Sequence, residues 1–181
     1  MAKVTEQMQQ WAGAFGQEYT DRNAADVDEM EEFNKKRWGV TATEMNWRFL
    51  QGLDPSIRIL EVGCNVGNQL LCLQRMGFQN LYGIELQRYA VEVSKSKTRG
   101  INIINGSAFN IPFKDGCCDL VFTFGVLIHI KPSDLPQVMT EIHRCTNRYI
   151  WGREYYADTV TEVSYRGHSE LLWKDDFSRR Y

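Results

Sequence analysis

The sequence lacks a predominance of either charge. Its 181 residues carry 21 Lys and Arg against 23 Asp and Glu, a formal net charge of −2. A chain that neutralises a run of phosphates carries an excess of cations, so no nucleic-acid partner is expected. Long apolar runs are also missing. The longest, Leu120 to Ile130, is interrupted by Thr123, Gly125 and His129 and is too short to cross a bilayer, so no membrane partner is expected. Met1 to Gln10 has no apolar stretch of the kind that targets secretion, and a cytoplasmic location is the expectation. The five cysteines are Cys64, Cys72, Cys117, Cys118 and Cys145. They show no Cys-x-x-Cys or Cys/His spacing, so reduced thiols and no metal are expected. Vicinal Cys117 and Cys118 also admit a redox or metal reading. Internal repeats and low-complexity linkers are absent.

The residues present have a globular balance, 43% apolar and 24% charged, in a length that suits one domain with a sizeable core. Residues 1–56 are rich in helix formers. Trp11, Phe15 and Tyr19 recur every four residues, one face of a helix that Asp21-Arg22-Asn23 is expected to break. Further helices are expected over about 26–36 and 41–51, closed by Gly52-Leu-Asp-Pro55. From Ile57 the texture changes. Short apolar strands at 57–62, 81–84, 101–104, 119–124 and 148–151 alternate with helices at 68–76, 88–97 and 135–145. That alternation predicts an α/β fold, a parallel sheet covered on both faces.

The first strand runs into Gly63-Cys-Asn-Val-Gly67 and a helix follows. In an open parallel sheet this turn lies at the carboxyl end, where ligands bind, and glycine permits positive φ and close approach of a ligand. Glu85 ends the next strand, 22 residues beyond Gly63, where a carboxylate accepts the hydroxyl hydrogens of a ribose. The dinucleotide pattern G-x-G-x-x-G would need glycine at 65 and 68, but Asn65 and Asn68 stand there. This disfavours a nicotinamide-dependent oxidoreductase.

The pattern from Glu61 through Gly63 to Gly67, with Glu85, resembles the class I S-adenosylmethionine-dependent methyltransferases. So do Asn105-Gly-Ser-Ala-Phe-Asn-Ile-Pro-Phe113, Cys118-Asp-Leu-Val-Phe122 and Phe124-Gly-Val-Leu-Ile-His-Ile-Lys-Pro132. The likeness covers about residues 57–152. It implies a Rossmann-like, doubly wound, mostly parallel sheet with an N-terminal helical extension over 1–56 packed on the cofactor site and a core over 57–181. It implies S-adenosylmethionine as cofactor. Glu61, Gly63, Cys64, Asn65, Gly67, Phe124, Gly125 and Val126 would meet its methionine part, Glu85 and Leu86 its ribose, and Ser107, Ala108 and Phe109 its adenine. Tyr19 reads either as a cofactor contact or as core. Arg22 reads either as a partner of the cofactor carboxylate or as a helix-end cation.

Phe15 to Asn23, Val126 to Ile130, Asn147 to Ile150 and Tyr165 to Ser169 are similar to the small methylases associated with pseudaminic acid biosynthesis. This implies a bacterial enzyme acting on a small polar acceptor, such as a sugar or nucleotide-sugar, at N or O. A non-catalytic binding module and a natural-product methyltransferase are the alternatives. His129, Glu154 and His168 are the candidate bases, and His129 equally reads as a structural histidine. Tyr155, Tyr156, Tyr165 and Arg166 are the candidate acceptor contacts. Residues 155–169 read as a loop and 171–177 as a short helix, leaving no room for the sixth and seventh strands of this fold. An uncovered fifth strand is an association hazard, so a homodimer or another cover for that edge is expected.

Overall fold

The computed structural model describes residues 3–23 and 26–181. Four helices come first: α1 (Glu6–Ala12), α2 (Ala14–Asn23), α3 (Val27–Trp38) and α4 (Ala42–Leu50). The alternating core follows as β1 (Arg58–Val62), α5 (Asn68–Arg75), β2 (Asn80–Glu85), α6 (Arg88–Lys97), β3 (Ile101–Asn105), β4 (Cys118–Phe124), α7 (Leu135–Cys145) and β5 (Thr146–Arg153). A 3-10 helix, Leu127–His129, lies between β4 and α7.

The five strands form one parallel sheet in the order β3-β2-β1-β4-β5. Chain order reverses between β1 and β4, which opens a crevice at their carboxyl ends. Strand residues are apolar on both faces because both faces are covered. Leu60, Val62 and Val121 pack with Val138, Met139 and Ile142 of α7 on one side. Ile59, Leu120 and Phe122 pack with Leu70 and Leu73 of α5 on the other.

The N-terminal helices begin and end where their sequence directs. Asp26 and Glu29 form a capping box at the start of α3, and Gly39, at φ +75°, closes it. Thr41 and Glu44 form a second box at α4. Each satisfies backbone N–H groups that a helix start leaves without partners. The Glu31 carboxylate accepts from the amides of Ala42 and Thr43 and ties α3 to α4.

Two expectations need correction. The first helix breaks at Gly13, not at Asp21-Arg22-Asn23, which complete α2. Gly13 adopts extended backbone and donates to the carbonyls of Gln9 and Gln10, closing α1. Residues 171–177 do not form a helix. Trp173–Lys174 is a strand, β7, paired antiparallel with β6 (Thr161–Glu162) in a separate ribbon. A single-turn 3-10 helix, Phe177–Arg180, follows. The main sheet ends at five strands, as expected; β6 and β7 do not join it, and among the described residues no strand pairs with the outer edge of β5.

Candidate active site

A cavity of about 310 Å³ lies over the carboxyl ends of β1, β2 and β4. Its floor is the turn after β1. The amides of Gly63 and Cys64 donate to the Ile84 carbonyl at 2.9 and 3.1 Å, which seats the turn on β2. Gly63 has φ +75° and Asn65 φ +47°, the left-handed region that costs most residues about 1–2 kcal/mol. A Cβ on Gly63 would stand 2.6 Å from Val126 Cγ2, so the close approach of the two turns also demands glycine.

Two carboxylates shape this floor. Glu85 accepts from the Asn65 amide at 2.8 Å and from the Gln87 amide at 2.7 Å. Burial pushes its acidity below that of an ordinary glutamate, and the amide bonds to Gln87 and Asn65 pull the other way. Glu61 is 2% exposed, and its Oε2 has no hydrogen-bond partner among the described residues. Burial and then the Glu85 charge raise its pKa well above the usual carboxylate range. A buried carboxylate oxygen without a partner is costly and suits a cationic or hydrogen-bond-donating ligand.

The roof is α1 and α2. Gln7, Met8, Trp11, Tyr19 and Thr20 line the cavity from above. The Gln87 carboxamide nitrogen donates to the carbonyls of Trp11, Ala12 and Gly13 at 2.9–3.2 Å and clamps the break between the two helices. Asn65 Nδ2 donates to Thr20 Oγ1. Burial raises the Tyr19 pKa to about 12, so its hydroxyl keeps its proton.

The far wall is the turn after β4, through Phe124, Gly125 and Val126 to His129. His129 Nδ1 lies 2.6 Å from the Leu171 carbonyl. A carbonyl only accepts, so Nδ1 carries the proton and Nε2 is left as the acceptor. Trp11 and Tyr165 flank the ring at 4.5 and 5.2 Å between centroids. Burial lowers its pKa to about 4, so the ring is neutral at physiological pH.

The cavity thus gathers Tyr19, Glu61, Gly63, Cys64, Asn65, Glu85, Leu86, Ser107, Ala108, Phe109, Phe124, Gly125, Val126 and His129. The other residues singled out from sequence lie off its lining. Gly67 (φ +86°) is the N-cap of α5, where a Cβ would meet Ile103 Cδ1 at 2.7 Å. Arg22 pairs with Glu18 at 3.7 Å on the surface of α2. Tyr165 packs behind His129 and Trp11, and His168 packs on Phe15. Arg166 lies over the Tyr165 ring, and Tyr155 and Tyr156 are exposed. Glu154 is turned inward onto backbone amides. Sequence reasoning missed Gln7, Met8, Trp11, Asn34, Gln69 and Gln87 as lining residues. Of these, Trp11 stands eight positions before Tyr19, a spacing that was a usable signal although the two rings meet from successive helices at 5.2 Å. Among the described residues, no group of three or more His, Cys, Asp or Glu is arranged to hold a metal ion, and no helix is long and apolar enough to cross a membrane.

Residues 60–148 match the family model described as a methyltransferase domain. That segment, just under half of the chain, is similar to methyltransferase domains. No curated protein matches the sequence, but solved structures share the fold. The PH0226 protein of Pyrococcus horikoshii is 19% identical with a TM-score of 0.56, over 84% of this chain and 67% of that one. The YcgJ protein of Bacillus subtilis is 19% identical with a TM-score of 0.56, over 64% and 51%. A SAM-dependent methyltransferase of Archaeoglobus fulgidus is 16% identical with a TM-score of 0.55, over 71% and 59%. The chain therefore spans about half to two thirds of the length of these structures.

S-adenosylmethionine is the cofactor that a methyltransferase domain of this fold implies. The residues present fit it. The floor is a glycine cradle that a Cβ would fill, one buried carboxylate oxygen waits for a cation or donor, and a second carboxylate ends β2. The cavity has the size of small-molecule sites.

Proposed function

We propose that the protein transfers a methyl group from S-adenosylmethionine to a small polar acceptor. The observation that carries this reading is the pair of carboxylates, Glu61 and Glu85, under a glycine turn at the reversal point of the sheet. In the proposed arrangement Glu85 accepts from the ribose hydroxyls and Glu61 Oε2 accepts from the ammonium of the methionine part. Ser107, Ala108 and Phe109 bound the adenine, and Tyr19 with Phe124 to Val126 bounds the methyl-bearing end. Gly67 shapes the turn from below.

The sulfonium supplies a methyl group that is already activated. What remains for the chain is binding, alignment of an acceptor lone pair and exclusion of water. The roof of α1 and α2 supplies the cover. His129 supplies a neutral ring with Nε2 as an acceptor, which holds the N–H or O–H of the acceptor in line. With its pKa near 4 it orients more effectively than it abstracts a proton, and an amine acceptor needs only to be neutral. Residues 1–56 act as the cover and 57–181 as the core of this unit. The likeness of Val126 to Ile130 and Tyr165 to Ser169 to the pseudaminic acid-associated methylases supports a sugar or nucleotide-sugar acceptor in a bacterial cytoplasm. The unpaired outer edge of β5 supports a second copy of the chain, or another cover, at that edge.

Calorimetry with S-adenosylhomocysteine tests the core of the proposal. Wild-type protein is expected to bind it, and Glu85→Ala to weaken binding at least about tenfold. A wild-type chain that folds and shows no binding refutes the cofactor site.

A further inference from the structure

From sequence, Glu154 reads as a candidate base beside the acceptor. Its carboxylate is occupied differently. Oε1 accepts from the Val126 amide at 3.1 Å and Oε2 from the Ile128 amide at 3.3 Å, and the Thr123 side chain and the Leu127 amide lie near enough to favour its ionised form. These amides open the 3-10 helix Leu127–His129, whose own N-cap residue, Val126, offers no side-chain bond. Helix starts leave such N–H groups without internal partners. Here the partner comes from the end of another strand. The preceding residue joins in, because the Arg153 carbonyl accepts from the Gly125 amide at 2.9 Å. The end of β5 therefore holds the whole turn that carries Val126 against Gly63 and His129 against the roof.

We propose that Glu154 is a positioning residue: its carboxylate fixes the turn after β4, and through that turn it sets the cavity wall against which the methyl-bearing end of the cofactor lies. The inference rests on the cofactor site proposed above. The contacts call for the ionised form, since every group facing the carboxylate is a donor and a protonated oxygen would oppose one of them. Burial works against ionisation and raises the pKa to about 7. Burial, and after it the charge of Glu154, raise the pKa of Tyr181. Thr123 faces the carboxylate from β4 as a neutral donor. From β5 the Arg153 guanidinium turns onto the Phe124 ring at 4.7 Å. His129 on the 3-10 helix is neutral. The turn is thus held firmly above about pH 7 and loosened below it.

Two measurements on Glu154→Gln test this. A carboxamide can accept only through its oxygen, and its NH₂ faces a donor. Amide hydrogen exchange at Val126 and Ile128 is expected to quicken at least about tenfold while the amides of β1 and β4 are unchanged. Calorimetry with S-adenosylhomocysteine is expected to show affinity about tenfold weaker at pH 8. The wild-type advantage should shrink at pH 6, where about one tenth of a group with a pKa near 7 is ionised. Glu61 and Glu85 remain in both proteins, so the difference between the two profiles belongs to Glu154. Unchanged exchange, affinity within twofold at pH 8, or an advantage that does not vary with pH each overturns the proposal. Should Glu154→Gln fail to fold, Glu154→Asp keeps the charge on a shorter arm and is expected to show the same exchange pattern more weakly. A wild-type chain that binds no S-adenosylhomocysteine refutes the cofactor site, and the exchange experiment then decides the role of Glu154 alone.

Discussion

Gly63→Ala puts the geometry of the glycine turn to a quantitative test. Two separate costs meet at this position. The φ of +75° charges any L side chain about 1–2 kcal/mol. The added Cβ would also lie 2.6 Å from Val126 Cγ2 and 3.2 Å from Cγ1, an overlap of the kind that costs about 1–3 kcal/mol when a packed region must shift. Together they predict a loss of about 2–5 kcal/mol, which for a chain of this size lowers Tm by about 5–15 °C. Val126→Ala removes both offending methyl groups. Alone it should cost only about 1 kcal/mol, since Val126 lines the cavity and is half-buried. In the double variant the overlap is gone and the backbone strain remains. The pair should therefore be non-additive, with most of the overlap recovered and about 1–2 kcal/mol of the Gly63→Ala loss left. Chemical denaturation of the four proteins measures this cycle, and S-adenosylhomocysteine calorimetry follows the same turn functionally. An additive cycle, or a Gly63→Ala protein as stable as wild type, would refute the argued contact between the two turns.

The neutral, half-buried ring of His129 predicts an acid-side loss of stability. Its folded pKa near 4 lies below the ordinary 6.5, so the unfolded chain binds the proton more readily. The stability present above about pH 6.5 is lost as pH falls toward 4, by roughly 2–3 kcal/mol at most. Denaturant melts of wild type and His129→Leu between pH 7 and 4.5 should converge on acidification, and parallel curves would contradict the assignment. Gln87→Ala removes the donor to three carbonyls at the α1–α2 break and should loosen the roof by about 1–3 kcal/mol. Hydrogen exchange over residues 6–12 should quicken while β1 and β4 hold, and equal rates in both proteins would show that the clamp is idle.

The alternating core was legible in sequence because its elements are long and locally patterned. Leu60 and Val121 announce buried strands by composition, and Leu135, Val138, Met139 and Ile142 announce α7 by spacing. The floor of the cavity was legible too, since Gly63 and Glu85 owe their places to backbone geometry within one βαβ unit. The ribbon of β6 and β7 was not. Two-residue strands have no period to read, and Leu171 to Phe177 is apolar enough to pass for a helix. The roof was only half visible. Tyr19 and Trp11 recur at helical spacing although they sit on successive helices, but the partner of the carbonyls at 11–13 is a glutamine more than seventy positions away. Glu154 shows the same limit in another form. A carboxylate just beyond strand five has one sequence signature whether it faces an acceptor or turns inward to hold amides.

The clamps across the cavity also set an order of assembly. Gln7 donates to the Glu170 carbonyl and Lys3 pairs with Asp134, contacts that join α1 and the residues before it to segments more than 130 positions away. His129 is held by Leu171 in the same way. Loops of that length close late, after local strand and helix contacts have formed. During synthesis α1 and α2 can meet Asn65 and Gln87 early, but their contact with Glu170 waits until that segment follows. The sheet can form before its roof is fastened. A chain halted short of residue 170 would cover Glu61, Glu85 and the glycine turn only loosely, and competence to retain a ligand would grow once the residues near 170 are in place.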